Sequence, residues 1–195
     1  MIINSIKDGG FKMFYEMNIA GHKRQLPLCR INDDLYIAAF IMFNDVEITT
    51  ACATELLKKV PEYDIVLTAE SKGIPLAYEF VRQSGRNNYI VARKSVKLYM
   101  EDVISTEVDS ITTEKLQTLY LGKSETEMLK GKKVLILDDV ISTGESLKSL
   151  ERLVEVAGGE VAARVAVLAE GDAADRDDII FLEKLPLFNS DGSIK

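Results

Sequence analysis

Residues 134–146 read VLILDDVISTGES. Four apolar residues run into Asp138 and Asp139, and a small, hydroxyl-rich turn around Gly144 leads into a helical pattern. An apolar run this short suits a buried parallel strand, with both aspartates at its carboxyl end. Open α/β sheets place their ligands at that edge. Beyond Val140 and Ile141, residues Ser142, Thr143, Gly144, Glu145 and Ser146 wrap into the amino terminus of the next helix. Unpaired N–H groups, the helix dipole and the hydroxyls there suit a phosphate. An acidic pair beside a phosphate cradle fits a sugar phosphate, because carboxylates accept hydrogen bonds from ribose hydroxyls while the turn holds the 5′-phosphate. A buried strand with an Asx-turn and a Ser/Thr N-cap accounts for one Asp and one Ser. It does not account for two adjacent acids followed by a glycine-containing hydroxyl turn.

A rival phosphate motif fails on spacing. Gly122-Lys123-Ser124 ends like a P-loop, but that loop needs a glycine where Gln117 stands. The segment reads as a polar turn.

The chain has 195 residues, 47% hydrophobic and 28% charged, which predicts one soluble domain with a substantial core. No apolar run approaches the roughly 20 residues that span a bilayer. The amino terminus lacks a basic segment followed by an apolar stretch, so secretion is not expected. Cys29 and Cys52 are far apart and lack metal-type spacing, which favours reduced thiols and a cytoplasmic location. A net charge of −7 with no sustained basic stripe argues against a nucleic-acid partner.

Alternating short runs from Phe11 to Phe40 predict a small antiparallel strand region. Asn44 then starts a helix, with Glu47 three residues on as in a capping box. Ile48, Cys52, Leu56 and Val60 form its buried stripe, and Pro61 ends it. Asp64–Ala69 reads as a strand, Ile74–Gln83 as a helix closed by Gly85, and Tyr89–Ala92 as a strand. Residues 94–104 lack a steady period and predict a mobile loop. Ser105–Ile111 and Lys115–Leu121 predict a pair of strands. Lys133–Leu137, Glu145–Ala157 and Val161–Ala169 complete a strand, helix, strand unit. This alternation predicts a parallel sheet with helices on both faces.

The DDVISTGES segment closely resembles the ribose-phosphate loop of type I phosphoribosyltransferases, which bind 5-phosphoribosyl-1-pyrophosphate (PRPP). Resemblance to the purine enzymes of that family covers most of residues 35–170. It implies an α/β fold: a parallel sheet flanked by helices, with residues 1–43 as a small amino-terminal hood and 44–195 as the core of a single domain. It implies that Asp138 and Asp139 bind ribose, directly or with Mg²⁺ nearby, and that Val140 to Ser146 line the phosphate site. It assigns Ser71, Lys72 and Gly73, in the loop after the strand ending at Ala69, to pyrophosphate. In relatives that loop often contains a cis peptide. Adenine enzymes usually carry arginine where Lys72 stands.

Arg93, Lys94 and Lys97 match the basic residues that relatives use on pyrophosphate. Glu107 resembles the acid/base glutamate of the adenine enzymes, where a positioned carboxyl exchanges a proton with the purine. Ser142 stands where hypoxanthine–guanine enzymes usually carry aspartate, which favours an adenine-like or xanthine-like reading. Ile41, Phe43 and Asn44 resemble the hood segment that clasps the base, although adenine enzymes usually have arginine at the Asn44 position. The resemblance therefore implies transfer of phosphoribose from PRPP to a purine, adenine first, with Mg²⁺ and in a homodimer. Two alternatives stay open: an enzyme for xanthine or another base, and a PRPP-sensing purine regulator without turnover.

Overall fold

The computed structural model describes residues 2–7, 10–106 and 118–195. The elements are β1 (Ile2–Lys7), β2 (Gly10–Ile19), β3 (His22–Arg30), β4 (Tyr36–Ala38), α1 (Val46–Leu57), β5 (Ile65–Ala69), α2 (Ile74–Gln83), β6 (Tyr89–Ala92), β7 (Ile104–Ser105), β8 (Tyr120–Leu121), α3 (Lys123–Leu129), β9 (Lys133–Ile141), α4 (Glu145–Val156), β10 (Glu160–Glu170), a 3-10 turn (Gly171–Asp175), β11 (Ile179–Leu185) and β12 (Leu187–Phe188).

Five strands form a parallel sheet in the order β11-β10-β9-β5-β6. The chain runs outward from β5 to β6, then returns to lay β9 on the other side of β5. The reversal leaves a crevice at the carboxyl ends of β5 and β9, where doubly wound sheets bind ligands. Leu135 and Leu137 of β9 join the cluster containing Cys52 and Leu56 of α1 and Leu76 and Phe80 of α2. Val134 and Ile136 instead join Leu150 and Leu153 of α4. Strand alternation thus feeds helices on both faces.

The hood is an antiparallel sheet, β1-β2-β3-β4-β12, as expected for the strands before α1. Its last strand comes from the other end of the chain. Leu187 and Phe188 pair with Ile37 and Tyr36, and Phe188 is fully buried with its ring 5.0 Å from that of Tyr15. Arg24 of β3 forms a two-pronged pair with Asp45 (2.7 and 3.0 Å) and reaches Glu47 at 2.7 Å, tying the hood to the start of α1. His22 opens β3 and lies 3.5 Å from Glu47.

Five expectations change in detail. α1 ends at Leu57, so Val60 packs on the core from beyond the helix and not on its stripe. The α1 cap is Asp45, whose carboxylate accepts the Ile48 N–H, while Asn44 adopts φ +67 just before it. Glu47 does not close a capping box; it is engaged by Arg24. The Gly122-Lys123-Ser124 segment is no mere turn: Gly122 caps α3, its carbonyl accepting from the Thr126 N–H and hydroxyl, and Leu129 is the buried residue of that helix. Finally, β9 runs on to Ile141, past the aspartates. Its pairing with β10 continues to Ile141, whereas its pairing with β5 stops at Ile136.

Candidate functional site

That asymmetric pairing positions Asp138 and Asp139. One side of β9 stays paired with β10 as far as Ile141, while the side facing β5 is unpaired with it beyond Ile136. Both aspartates border the crevice from within the part of β9 that remains paired with β10. Asp139 is buried, at 2% exposure, and Asp138 is half-buried. The Asp139 N–H donates to Asp138 Oδ1 at 2.9 Å. Burial, and then the neighbouring Asp139 charge, push the Asp138 carboxyl well above the ordinary carboxylate range. Lys72 Nζ approaches Asp139 Oδ2 to 3.0 Å, a charge contact at an oxygen with no hydrogen-bond partner of its own.

The β5–α2 turn packs directly on this pair. A Cβ added at Gly73 would lie 2.4 Å from Thr68 Oγ1 and 3.1 Å from Asp138 Oδ1, so only glycine lets the turn come this close. The Glu70–Ser71 peptide is cis. Glu70 stitches the turn to the loop after β6: its N–H donates to Ala92 O, and its carboxylate accepts the Lys94 N–H at 3.0 Å and pairs with Arg93 at 3.3 Å. The Lys94 N–H, followed by the Arg93 charge, holds the Glu70 carboxyl below the usual range. Lys97 follows in a turn closed by Met100 N–H on Lys97 O, with Nζ donating to Ser95. The structure therefore brings Ser71, Lys72, Gly73, Arg93 and Lys94 to one edge, with Glu70 as their joint. Glu70 escaped the sequence reading because an acid in an anion-binding loop carries no positive signal.

The second turn, between β9 and α4, is built differently. Gly144 has φ +79, a left-handed conformation, and caps α4 without a side chain, so no cap side chain accepts from the first-turn N–H groups. Ser142 and Thr143 are exposed, Ser146 half-buried, Val140 half-buried and Ile141 buried, and Glu145 is an exposed first-turn acid. At the end of β10, Glu170 is half-buried, and burial raises its carboxyl against the opposing charge of Lys72.

Residues 107–117, which include Glu107 and most of the strand pair expected there, lie outside the described residues. What is described of that pair, Ile104–Ser105 against Tyr120–Leu121, is antiparallel. At the start of α1, Phe43 and Asn44 line a cleft of about 280 Å³ with Val46 and, from α2, Pro75 and Tyr78. Ile41 is 53% exposed and does not line it. A larger hollow of about 500 Å³ opens beyond β10, lined by Gly171, Asp172, Leu185, Pro186, Leu187 and others. Leu185, Pro186 and Leu187 of its wall belong to an apolar carboxyl-terminal segment that also carries the buried Phe188. No helix among the described residues is long and apolar enough to cross a membrane.

Residues 45–187 match the phosphoribosyl transferase domain model. The chain is 28% identical over 159 residues to an adenine phosphoribosyltransferase of Acetivibrio thermocellus, covering 74% of this chain and 83% of that one. It is 31% identical over 122 residues to a xanthine phosphoribosyltransferase of an Exiguobacterium species, covering 63% of this chain and 62% of that one. Its fold is similar to the crystal structure of adenine phosphoribosyltransferase from Thermoanaerobacter pseudethanolicus, with a TM-score of 0.59 and 23% identity over 73% of this chain and 83% of that one. The parallel sheet, the paired acids at its switch point and the match across 45–187 make this chain a member of the phosphoribosyl transferase domain family, among the pentosyltransferases of purine and xanthine type.

Proposed function

We propose that this chain, working as one domain, transfers the 5-phosphoribosyl group of PRPP to a purine base, adenine first, yielding the nucleoside 5′-monophosphate and pyrophosphate. The observation that carries the reading is the crevice at the carboxyl ends of β5 and β9. There two acids on a strand paired to β10 stand between a turn carrying Lys72 and a helix amino terminus that no side chain caps. In this assignment Asp138 and Asp139 accept hydrogen bonds from the ribose hydroxyls. Residues 142–146 hold the 5′-phosphate. Ser71, Lys72, Gly73, Arg93, Lys94 and Lys97 hold the pyrophosphate, and Phe43 and Asn44 face the base.

Base N9 attacks C1 of the ribose, the bond from C1 to the pyrophosphate oxygen breaks, and the N9 proton leaves to Glu107. Cations around the departing pyrophosphate stabilise the charge it gains. Mg²⁺, arriving with PRPP, supplies further neutralisation of that diphosphate. Carboxylate oxygens suit this hard ion, and Asp138 and Asp139 are the residues to face it. Among the described residues no three His, Cys, Asp or Glu side chains converge on one metal position, so the diphosphate and water would complete its shell. Adenine is favoured by the Acetivibrio relative and by Ser142 in place of aspartate. A homodimer in the cytoplasm belongs to the same proposal, on the family resemblance.

The test is an assay of pyrophosphate release with PRPP, Mg²⁺ and each of adenine, hypoxanthine, guanine, xanthine, uracil and orotate. Adenine should give the fastest release, and Glu107→Gln should lower kcat more than it weakens PRPP binding. Release with xanthine alone would replace the base assignment. PRPP binding without release on any base would make the chain a PRPP-sensing regulator.

A further inference from the structure

Arg176, which follows the 3-10 turn after β10, leans over the turn between β9 and α4. Its Nη1 would lie 3.0 Å from a Cβ on Gly144. Its other two nitrogens are occupied: Nε and Nη2 both donate to the Asp178 carboxylate, at 2.8 and 2.7 Å. Asp178 also lies 3.7 Å from Arg164, which in turn pairs with Glu151 of α4. The guanidinium is thus held by a fork and braced to the helix, with its third nitrogen directed at the left-handed glycine.

A cation there is unfavourable for the helix itself. The amino terminus of α4 carries the positive end of the peptide dipole, which favours anions and repels cations. The turn offers a bound dianion only backbone amides and hydroxyls, because residues 142–146 include no basic side chain and do include Glu145. Fixing a guanidinium beside a helix amino terminus that no side chain caps makes sense electrostatically when an anion sits there.

We propose that Arg176, clamped by Asp178, is a further binding residue for the 5′-phosphate of the ribose-phosphate ligand, donating from Nη1. This rests on the ribose-phosphate reading above and deepens it. Nothing in the motif could have announced it, since Arg176 lies thirty residues beyond Ser146.

The experiment measures ribose 5-phosphate and pyrophosphate binding separately by calorimetry, in the unaltered protein, Arg176→Gln and Arg176→Lys, with thermal melting of each. Arg176→Gln should weaken ribose 5-phosphate by about tenfold, the scale of one charge-assisted hydrogen bond, and leave pyrophosphate binding unchanged. Arg176→Lys should recover part of the loss, because charge is kept and the fork to Asp178 is not. Equal weakening of both ligands would assign Arg176 a structural role and overturn the proposal. Unchanged ribose 5-phosphate binding in Arg176→Gln would overturn it alone. Failure of the unaltered protein to bind ribose 5-phosphate would remove the ribose-phosphate reading and this inference together.

Discussion

The two turns that flank the paired aspartates solve the problem of holding an anion in opposite ways. The β5–α2 turn is embedded. Gly73 packs against Thr68 and Asp138, and Glu70 bolts the turn to the loop after β6. The β9–α4 turn is open, with Ser142 and Thr143 in solvent and one left-handed glycine shaping it. The embedded turn couples ligand binding to packing, so its residues cannot change without moving the aspartates. The open turn separates the two, so its hydroxyls answer only to the ligand.

The largest effect is expected where both turns meet. Replacing Asp138 and Asp139 together with asparagine should weaken PRPP by more than about 100-fold, since two charged acceptors are lost. Calorimetric titration with PRPP and Mg²⁺ checks this, and retained affinity would remove the acids from the ribose site. A smaller, paired effect separates the turns. Gly73→Ala places a methyl carbon 2.4 Å from Thr68 Oγ1, and should cost about 1–3 kcal/mol of stability as well as ligand affinity. Thr143→Ala should leave the melting temperature unchanged and weaken ribose 5-phosphate about fivefold. If both variants melt like the parent, the contrast between embedded and open turns is wrong.

The smallest effect is in pH. Asp138 has its folded-state carboxyl raised by burial and by Asp139, so its contribution to stability is full below the ordinary carboxylate range. That contribution is lost as pH rises through the raised value. Ribose binding has the opposite sign, because the ionised carboxylate is the better acceptor. Ribose affinity should therefore grow as pH rises above the ordinary carboxylate range, and Asp138→Asn should flatten that part of the profile. The residual slope in the variant reports the ligand phosphate, which titrates near pH 6. An identical profile in parent and variant would remove Asp138 from the pH response.

Much of this architecture could be read from local pattern. The bounds of α2 and β6 follow directly from apolar period, Pro75 and Gly85, and α4 ends within one residue of the predicted position. Such signals are short-range, and so is the turn at 142–146. What escaped was set by distant partners. Asp45 displaced Asn44 as the cap because Arg24, in the hood, fixes its carboxylate. The length of β9 beyond Leu137 depends on β10 lying alongside it. Phe188 completes a sheet whose other strands lie far earlier in the chain, a pairing no local period encodes. Glu70 and Arg176 act through contacts across loops, so neither stood out as a residue type in a motif. The α3 helix was hidden for another reason: it is short and buries only Leu129, so it has almost no apolar stripe.

The most direct measurement is a crystal of the protein soaked with adenosine 5′-monophosphate. The ribose hydroxyls should lie within hydrogen-bond distance of Asp138 and Asp139, with the phosphate on the amides of residues 142–146. A nucleotide bound elsewhere, with Lys72 still on Asp139 and the crevice closed by the protein's own side chains, would contradict the assignment.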